Sequence, residues 1–271
     1  MSWLSLSCSP ALNALSFDEV GLLSFEVHGP DDGTPVVFLH AVGIDSWMWG
    51  KVLEHLDGVQ AILIDLPGHG HSGAYGWKSL EHSAAAVSDV VKERCPQGSH
   101  LAALSLGSYV GLCAMAQNPT LFSSAVLSGI HAGKMPRRWL MYVMSAILAP
   151  FATRPFMARK TASMFGVEPT ETEGFVKSAT RTRASAFRRA TNDVVAFEMP
   201  ASAEQIRTPV LFAAGGNEHS LILESLDRLE RFLPLGSSVT VPDGGHGWPA
   251  KKPETFASLL RDNIAATAKA K

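Results

Sequence analysis

Cysteine is scarce: three in 271 residues, Cys8, Cys95 and Cys113. An odd count at irregular spacing is no disulfide framework, and it points to a reducing, cytoplasmic setting. No Cys/His spacing matches a zinc site. Charged residues make up only 18% and the net charge is −2, so the global balance draws the chain neither to nucleic acid nor to an anionic membrane. Long apolar runs are missing as well. The longest covers 139–151 and contains Pro150, too short to span a bilayer, so no stable membrane insertion is expected. Met1-Ser2-Trp3-Leu4-Ser5 lacks the positive and apolar regions of a signal peptide.

What is present is a globular composition, 46% hydrophobic, at a length that suits one α/β domain with an insertion. Residues 12–17 and 22–28 read as strands around the turn 18–21. Residues 36–39, 61–64, 101–104 and 124–128 are short apolar runs bounded by turn residues, as expected of strands covered on both faces. Helical spacing lies between them, through Trp49, Val52, Leu53 and Leu56, and again over 79–94. This alternation implies a mostly parallel sheet with helices on both faces. From 131 to 203 no strand is legible, only helical stretches broken by Pro136, Pro150, Gly166 and Pro169. Alternation resumes with a strand at 209–213, a helix through Leu221, Leu226, Leu229 and Phe232, a strand at 238–241, and a last helix from Pro253.

The informative stretch is Ala103-Leu104-Ser105-Leu106-Gly107. An apolar strand ends, one serine follows, and helical spacing begins. Small residues two before and two after the serine suit a turn so tight that a larger side chain would meet neighbouring backbone. Such a turn raises Ser105 at its apex as a nucleophile and aims the Leu106 N–H at a developing oxyanion. A serine needs a base, and the base needs an orienting group. His246 sits in a glycine-rich loop, Asp243-Gly244-Gly245-His246-Gly247, after the last strand. Glu218 is the only acid in Gly215-Gly216-Asn217-Glu218-His219, after the strand at 209–213. All three fall at the carboxyl ends of strands, where open α/β sheets place their sites. Val42, in the loop after 36–39, is the candidate for the second oxyanion N–H. His219 has no assigned role. His40 reads as a loop-orienting residue, with no acid paired to it.

Other patterns carry less. Gly68-x-Gly70-x-x-Gly73 matches a dinucleotide fingerprint, but Pro67 precedes it, no helix opens after it, and no acid lies about 20 residues on. It reads as a turn whose backbone passes close to other elements. His69-x-His71 has no third ligand for a metal. Gly107-x-x-x-Gly111 lets its helix approach the sheet.

Taken together, His40-Ala41-Val42-Gly43, Asp65-Leu66-Pro67-Gly68-His69-Gly70-His71-Ser72, the turn at Ser105, the Glu218 loop and Gly245-His246-Gly247 resemble the α/β-hydrolase superfamily, in the order Ser…Glu…His. The likeness is to its small capped esterase and enol-lactonase branch and covers nearly the whole chain. It implies an α/β-hydrolase fold: a mostly parallel central sheet with helices on both faces and a helical cap insertion. Residues 1–130 and 204–271 would form the core domain, and 131–203, after the sixth strand, the cap. It implies a cofactor-free, metal-free serine esterase working through an acyl-enzyme on Ser105, on a small ester or lactone with an apolar portion. The alternatives are a lactonase with the same triad and a non-hydrolytic ligand-binding member. Three positions depart from the usual pattern: Ala41 and Ala103 replace glycines, and Glu218 replaces aspartate, so its longer side chain must fold back to reach His246.

The insertion has its own composition. Between 131 and 203 there are 11 Lys+Arg and 5 Asp+Glu, net +6, which leaves −8 elsewhere. The arginines, among them Arg137, Arg138, Arg154, Arg159, Arg181, Arg183, Arg188 and Arg189, could draw an anionic substrate or acyl-carrier partner. The ordinary reading is solvated helix faces. Six of nine methionines lie here too, and with Trp139, Phe151, Phe156 and Phe165 some are expected to line an apolar pocket, the rest to pack between helices. The other use of 139–151 is a lid segment that dips into a membrane interface.

Overall fold

The structure is a computed structural model that describes residues 23–165 and 167–268. The strand expected at 12–17, the turn 18–21 and Cys8 lie outside them. Cys95 and Cys113 are free and buried. In chain order the elements begin β1 (Phe25–His28), β2 (Thr34–Leu39), α1 (Gly50–Leu53), β3 (Val59–Ile64), α2 (Leu80–Arg94), β4 (Ser99–Leu104), α3 (Leu106–Gln117) and β5 (Phe122–Ser128). Then come α4 (Arg138–Ala152), α5 (Pro155–Phe165), α6 (Thr172–Thr180) and α7 (Ala184–Ala196) without an intervening strand among the described residues. The chain ends with β6 (Val210–Gly215), α8 (Ser220–Phe232), β7 (Gly236–Val241), α9 (Trp248–Lys251) and α10 (Pro253–Ala268).

The strands form one sheet in the order β1-β3-β2-β4-β5-β6-β7. Only β1 is antiparallel to its neighbour. The central strands alternate between two apolar layers. Val37, Leu39, Ile62, Ile64, Leu101 and Ala103 join one cluster, packed with α2, α3 and α8. Val36, Phe38, Ala61, Leu63, Ala102 and Leu104 join the other, with Trp49, Trp248 and Phe256. Strand side chains alternate faces, so apolar residues at every position require cover on both sides.

Local signals explain most helix ends. Ser79 accepts the His82 N–H at 3.2 Å and starts α2. His219 accepts the Leu221 N–H at 3.1 Å and starts α8. The segment expected to be one helix through 49–56 is instead a 3-10 turn, Ser46–Trp49, followed by the single turn α1. Asp45 caps the first, accepting from Trp47 N–H at 3.1 Å, and the Trp- and Gly-containing run that follows has weak helix propensity.

The insertion is fastened to the sheet through α6 and α7. Buried Asp45 accepts from Ser178 Oγ at 2.5 Å and from Arg181 at 3.2 Å. Trp77 Nε1 donates to Asp193 at 2.8 Å, and Arg183 N–H to the Gly68 carbonyl at 2.9 Å. Gly68 adopts φ +76°, and a Cβ there would sit 2.2 Å from Ala186 Cβ, which is the close passage its sequence context suggested.

A second close contact joins α3 to β2. A Cβ on Gly107 would lie 2.3 Å from the Leu39 carbonyl oxygen, and Gly107 N–H donates to the His40 carbonyl at 3.0 Å. The clash is with backbone, so it cannot be relieved by a rotamer change. Gly107→Ala is expected to destabilise the fold by about 1–3 kcal/mol, the cost of overpacking. A urea titration should show a lower midpoint at unchanged slope.

Candidate active site

Ser105 lies between β4 and α3 at φ 52°, ψ −118°, a conformation that side-chain-bearing residues rarely adopt. The surroundings over-determine it. Ser105 N–H donates to the Ser128 carbonyl at 2.8 Å, and its own carbonyl accepts from Ser108 N–H at 2.8 Å. Ser108 Oγ also donates to the Ser128 carbonyl at 2.8 Å. Ser128 thereby anchors the turn, and its Oγ accepts from Trp248 Nε1 at 2.8 Å on the His246 side. Nothing in the sequence singled out Ser128.

Glu218 and His246 come together. Glu218 Oε2 accepts from His246 Nδ1 at 3.0 Å, and Oε1 accepts the Gly215 N–H at 3.1 Å. The longer acid folds back on its own loop, as its length required. Its side chain is inaccessible, whereas that of His246 is 34% exposed. A carboxylate only accepts, so it holds the proton on Nδ1 and leaves Nε2 a lone pair. Two loop contacts bring them together: Asn217 N–H donates to the Gly244 carbonyl at 2.7 Å, and Gly216 N–H to the Val241 carbonyl at 2.8 Å. A further glycine matters, Gly129, just after β5. It has φ +69°, and a Cβ there would lie 2.8 Å from His246 Cε1. A glycine directly after a buried strand was the one sequence signal for it.

Ser105 and His246 line one cavity of about 900 Å³. Among the described residues no hydrogen bond joins them directly, a common state of such pairs without substrate. Val42 is also on the wall. Its N–H and that of Leu106, the first residue of α3, donate to no backbone carbonyl among the described residues. The wall is largely apolar, with Trp47, Met48, Met164, Phe165, Phe175 and Phe187.

Of the aromatic and methionine residues marked in the insertion, Met164 and Phe165 reach this wall. Trp139, Phe151 and Phe156 do not, and they do not pack between helices either, being 66%, 58% and 76% exposed. None of the eight arginines lines the cavity. Arg181 is engaged with Asp45, and Arg159 with Glu173 at 2.8 Å. Their recruitment of an anionic group to the site has no structural support.

The Val42 loop rests on buried histidines. His40 Nδ1 donates to the Ala41 carbonyl at 2.8 Å, and Nε2 accepts the Leu66 N–H at 2.9 Å. That pairing requires the neutral ring, and burial pushes its pKa down. His69 packs 5.2 Å from it, ring centre to ring centre, and donates from Nδ1 to the Pro67 carbonyl at 2.9 Å. Burial first, then His40, pushes His69 down to about 3. These are structural roles, and His40 carries no acid partner that would make it a base.

A family model for the alpha/beta hydrolase family matches residues 36–259. This chain belongs to that family. An esterase of Mycobacterium tuberculosis is 30% identical over 107 residues, 38% of this chain and 35% of the relative. A pimeloyl-[acyl-carrier protein] methyl ester esterase of Methylococcus capsulatus is 36% identical over 96 residues, 35% of this chain and 36% of the relative. The matched part is thus about a third of the length of these relatives. Among solved structures, a thermophilic esterase from Thermogutta terrifontis, malate bound, superposes with a TM-score of 0.74 at 22% identity, covering 90% of this chain and 93% of its own.

Two predictions follow from the site of this alpha/beta hydrolase. The backbone at Ser105 suits glycine better than any L residue, so Ser105→Gly should be more stable than Ser105→Ala by about 1 kcal/mol, the reverse of the order elsewhere. Thermal melts of the two variants decide it. Below pH about 6.5 the unfolded chain protonates His69 and the folded chain does not, so stability falls as pH drops from there towards about 3. At pH 4.5 this costs about 2–3 kcal/mol, and His69→Gln should lose correspondingly less between pH 7 and pH 4.5 in urea titrations.

Proposed function

We propose that this protein is a serine hydrolase of carboxylic esters. The observation that carries the proposal is the strained turn presenting Ser105 to the cavity that also exposes His246, with Glu218 bonded to His246 at 3.0 Å. Ser105 Oγ attacks the ester carbonyl carbon while His246 Nε2 takes the hydroxyl proton. The carbonyl oxygen becomes an oxyanion held by the Val42 and Leu106 N–H groups. His246 then returns the proton to the departing alkoxide, which leaves as alcohol. Water, deprotonated by His246, attacks the acyl-enzyme and releases the carboxylic acid. Glu218 keeps the imidazole in the required tautomer and stabilises the imidazolium.

The elements between β5 and β6 act as a cap in this reading. Residues 131–203 would be a unit placed on a core formed by 1–130 and 204–271. The cavity's apolar wall, with Met164 and Phe165 from α5, suits an ester with an apolar acyl or alkyl portion. The esterase relatives point the same way.

A fluorophosphonate probe tests the reading before any substrate is known. Stoichiometric labelling of Ser105, mapped by mass spectrometry and lost in His246→Ala, is the expected result. An unlabelled, well-folded wild type sinks the proposal. Once an ester substrate is found, Glu218→Gln should lower kcat roughly a thousandfold to ten-thousandfold with KM little changed, because the imidazole loses its orienting charge.

A further inference from the structure

α4 is amphipathic in the wrong sense for a helix at a water-facing surface. Its fully buried residues are only Ser145 and Ala149. Ser145 Oγ donates to Asn192 Oδ1 on α7 at 2.6 Å, which seats this small-residue stripe. The opposite side shows Trp139, Val143, Ile147, Leu148 and Phe151 to the outside. α5, bent by 112° relative to α4, likewise exposes Phe156 and Met164, 76% and 75%. Neither helix is long and apolar enough alone to cross a membrane.

The segment that forms this face carries cations and no acid of its own, and the acids that meet it are Glu198, paired with Lys134 and Arg138, and Glu173, paired with Arg159. From 134 to 165 the sequence holds Lys134, Arg137, Arg138, Arg154, Arg159 and Lys160, and no Asp or Glu. Arg137 and Arg154 stand just outside the two ends of α4, with the exposed apolar residues between them. Arg137, Arg154 and Lys160 form no ion pair among the described residues. A second copy docking here would set the unpaired cations Arg137, Arg154 and Lys160 against the same three. An acidic protein partner would be met best by cations along the exposed stretch of α4 itself, and between Arg138 and Arg154 there are none. Cations at the ends of an apolar helix, with Trp and Phe between, match a lipid surface: the apolar side enters the acyl boundary and the cations reach back to the headgroups.

We propose that the α4–α5 face docks on an anionic lipid surface. Docking is peripheral and requires no spanning helix. The face is continuous with the cavity, because Met164 belongs to both. Docking thus brings the Met164 side of the cavity towards the bilayer, whatever reaction the site performs.

The test is sedimentation of the full chain with vesicles of phosphatidylcholine alone and of phosphatidylcholine mixed with phosphatidylglycerol. The readout is binding, independent of Ser105 chemistry, so a failure of the esterase reading leaves it interpretable. Binding to the mixed vesicles only, weakened by salt, is the expected result. Ile147→Glu/Phe151→Glu should abolish it, and Arg137→Glu/Arg154→Glu should lower partitioning roughly tenfold or more. All four residues are exposed and lie outside the cavity lining, and thermal melts equal to wild type confirm folding. No binding to the mixed vesicles, equal binding to both, or binding unaffected by Ile147→Glu/Phe151→Glu overturns the proposal. A dimer that this variant dissociates, in a chain that ignores vesicles, overturns it in favour of self-association.

Discussion

The close backbone approach of α3 to β2 at Gly107 is the constraint on which the site depends. It brings the first turn of α3, which opens with Leu106 directly after the cavity-lining Ser105, up against the end of β2, from which the loop with Val42 departs. It also leaves the chain no room for a relaxed strand-to-helix connection, and Ser105 takes up the difference at φ 52°. Ser128, bonded to Ser105 from one side and to Trp248 from the other, carries that constraint across to the loop of His246. Parallel pairing does the rest. β4, β5, β6 and β7 are adjacent and point the same way, so the loops after them meet at one edge.

The insertion divides into two parts with different physics. α6 and α7 are bound to the sheet by Asp45, Trp77 and the Gly68 loop, through buried polar contacts that removal of one partner would leave unsatisfied. α4 and α5 are held mainly through small residues and leave their large side chains outside. A net charge of −2 conceals this, because the +6 of the insertion is offset in the rest of the chain.

Most strands were legible because their apolar runs are short and bounded by turn residues. The site motifs were legible because each sits directly after such a run. Failures came where local sequence was ambiguous. The 3-10 turn at Ser46–Trp49 has helical apolar spacing but poor propensity. The methionines and aromatics of the insertion obey helical spacing too, and spacing does not say which face turns outward. Their expected place, on a pocket wall or between helices, held for Met164 and Phe165 and failed for Trp139, Phe151 and Phe156.

The sequence by itself determined the alternation of strands and helices, the strand-free insertion, and the residue types able to do acyl chemistry, because these depend on local propensity and spacing. Tertiary structure alone decided that Glu218 reaches His246, that Gly129 makes room for the imidazole, and that Ser128 ties the two loops. It also decided that α4 keeps its small residues for the protein and its large ones for the outside. Each of these is a contact between segments far apart in the chain, set by sheet order and packing, and no periodicity encodes it.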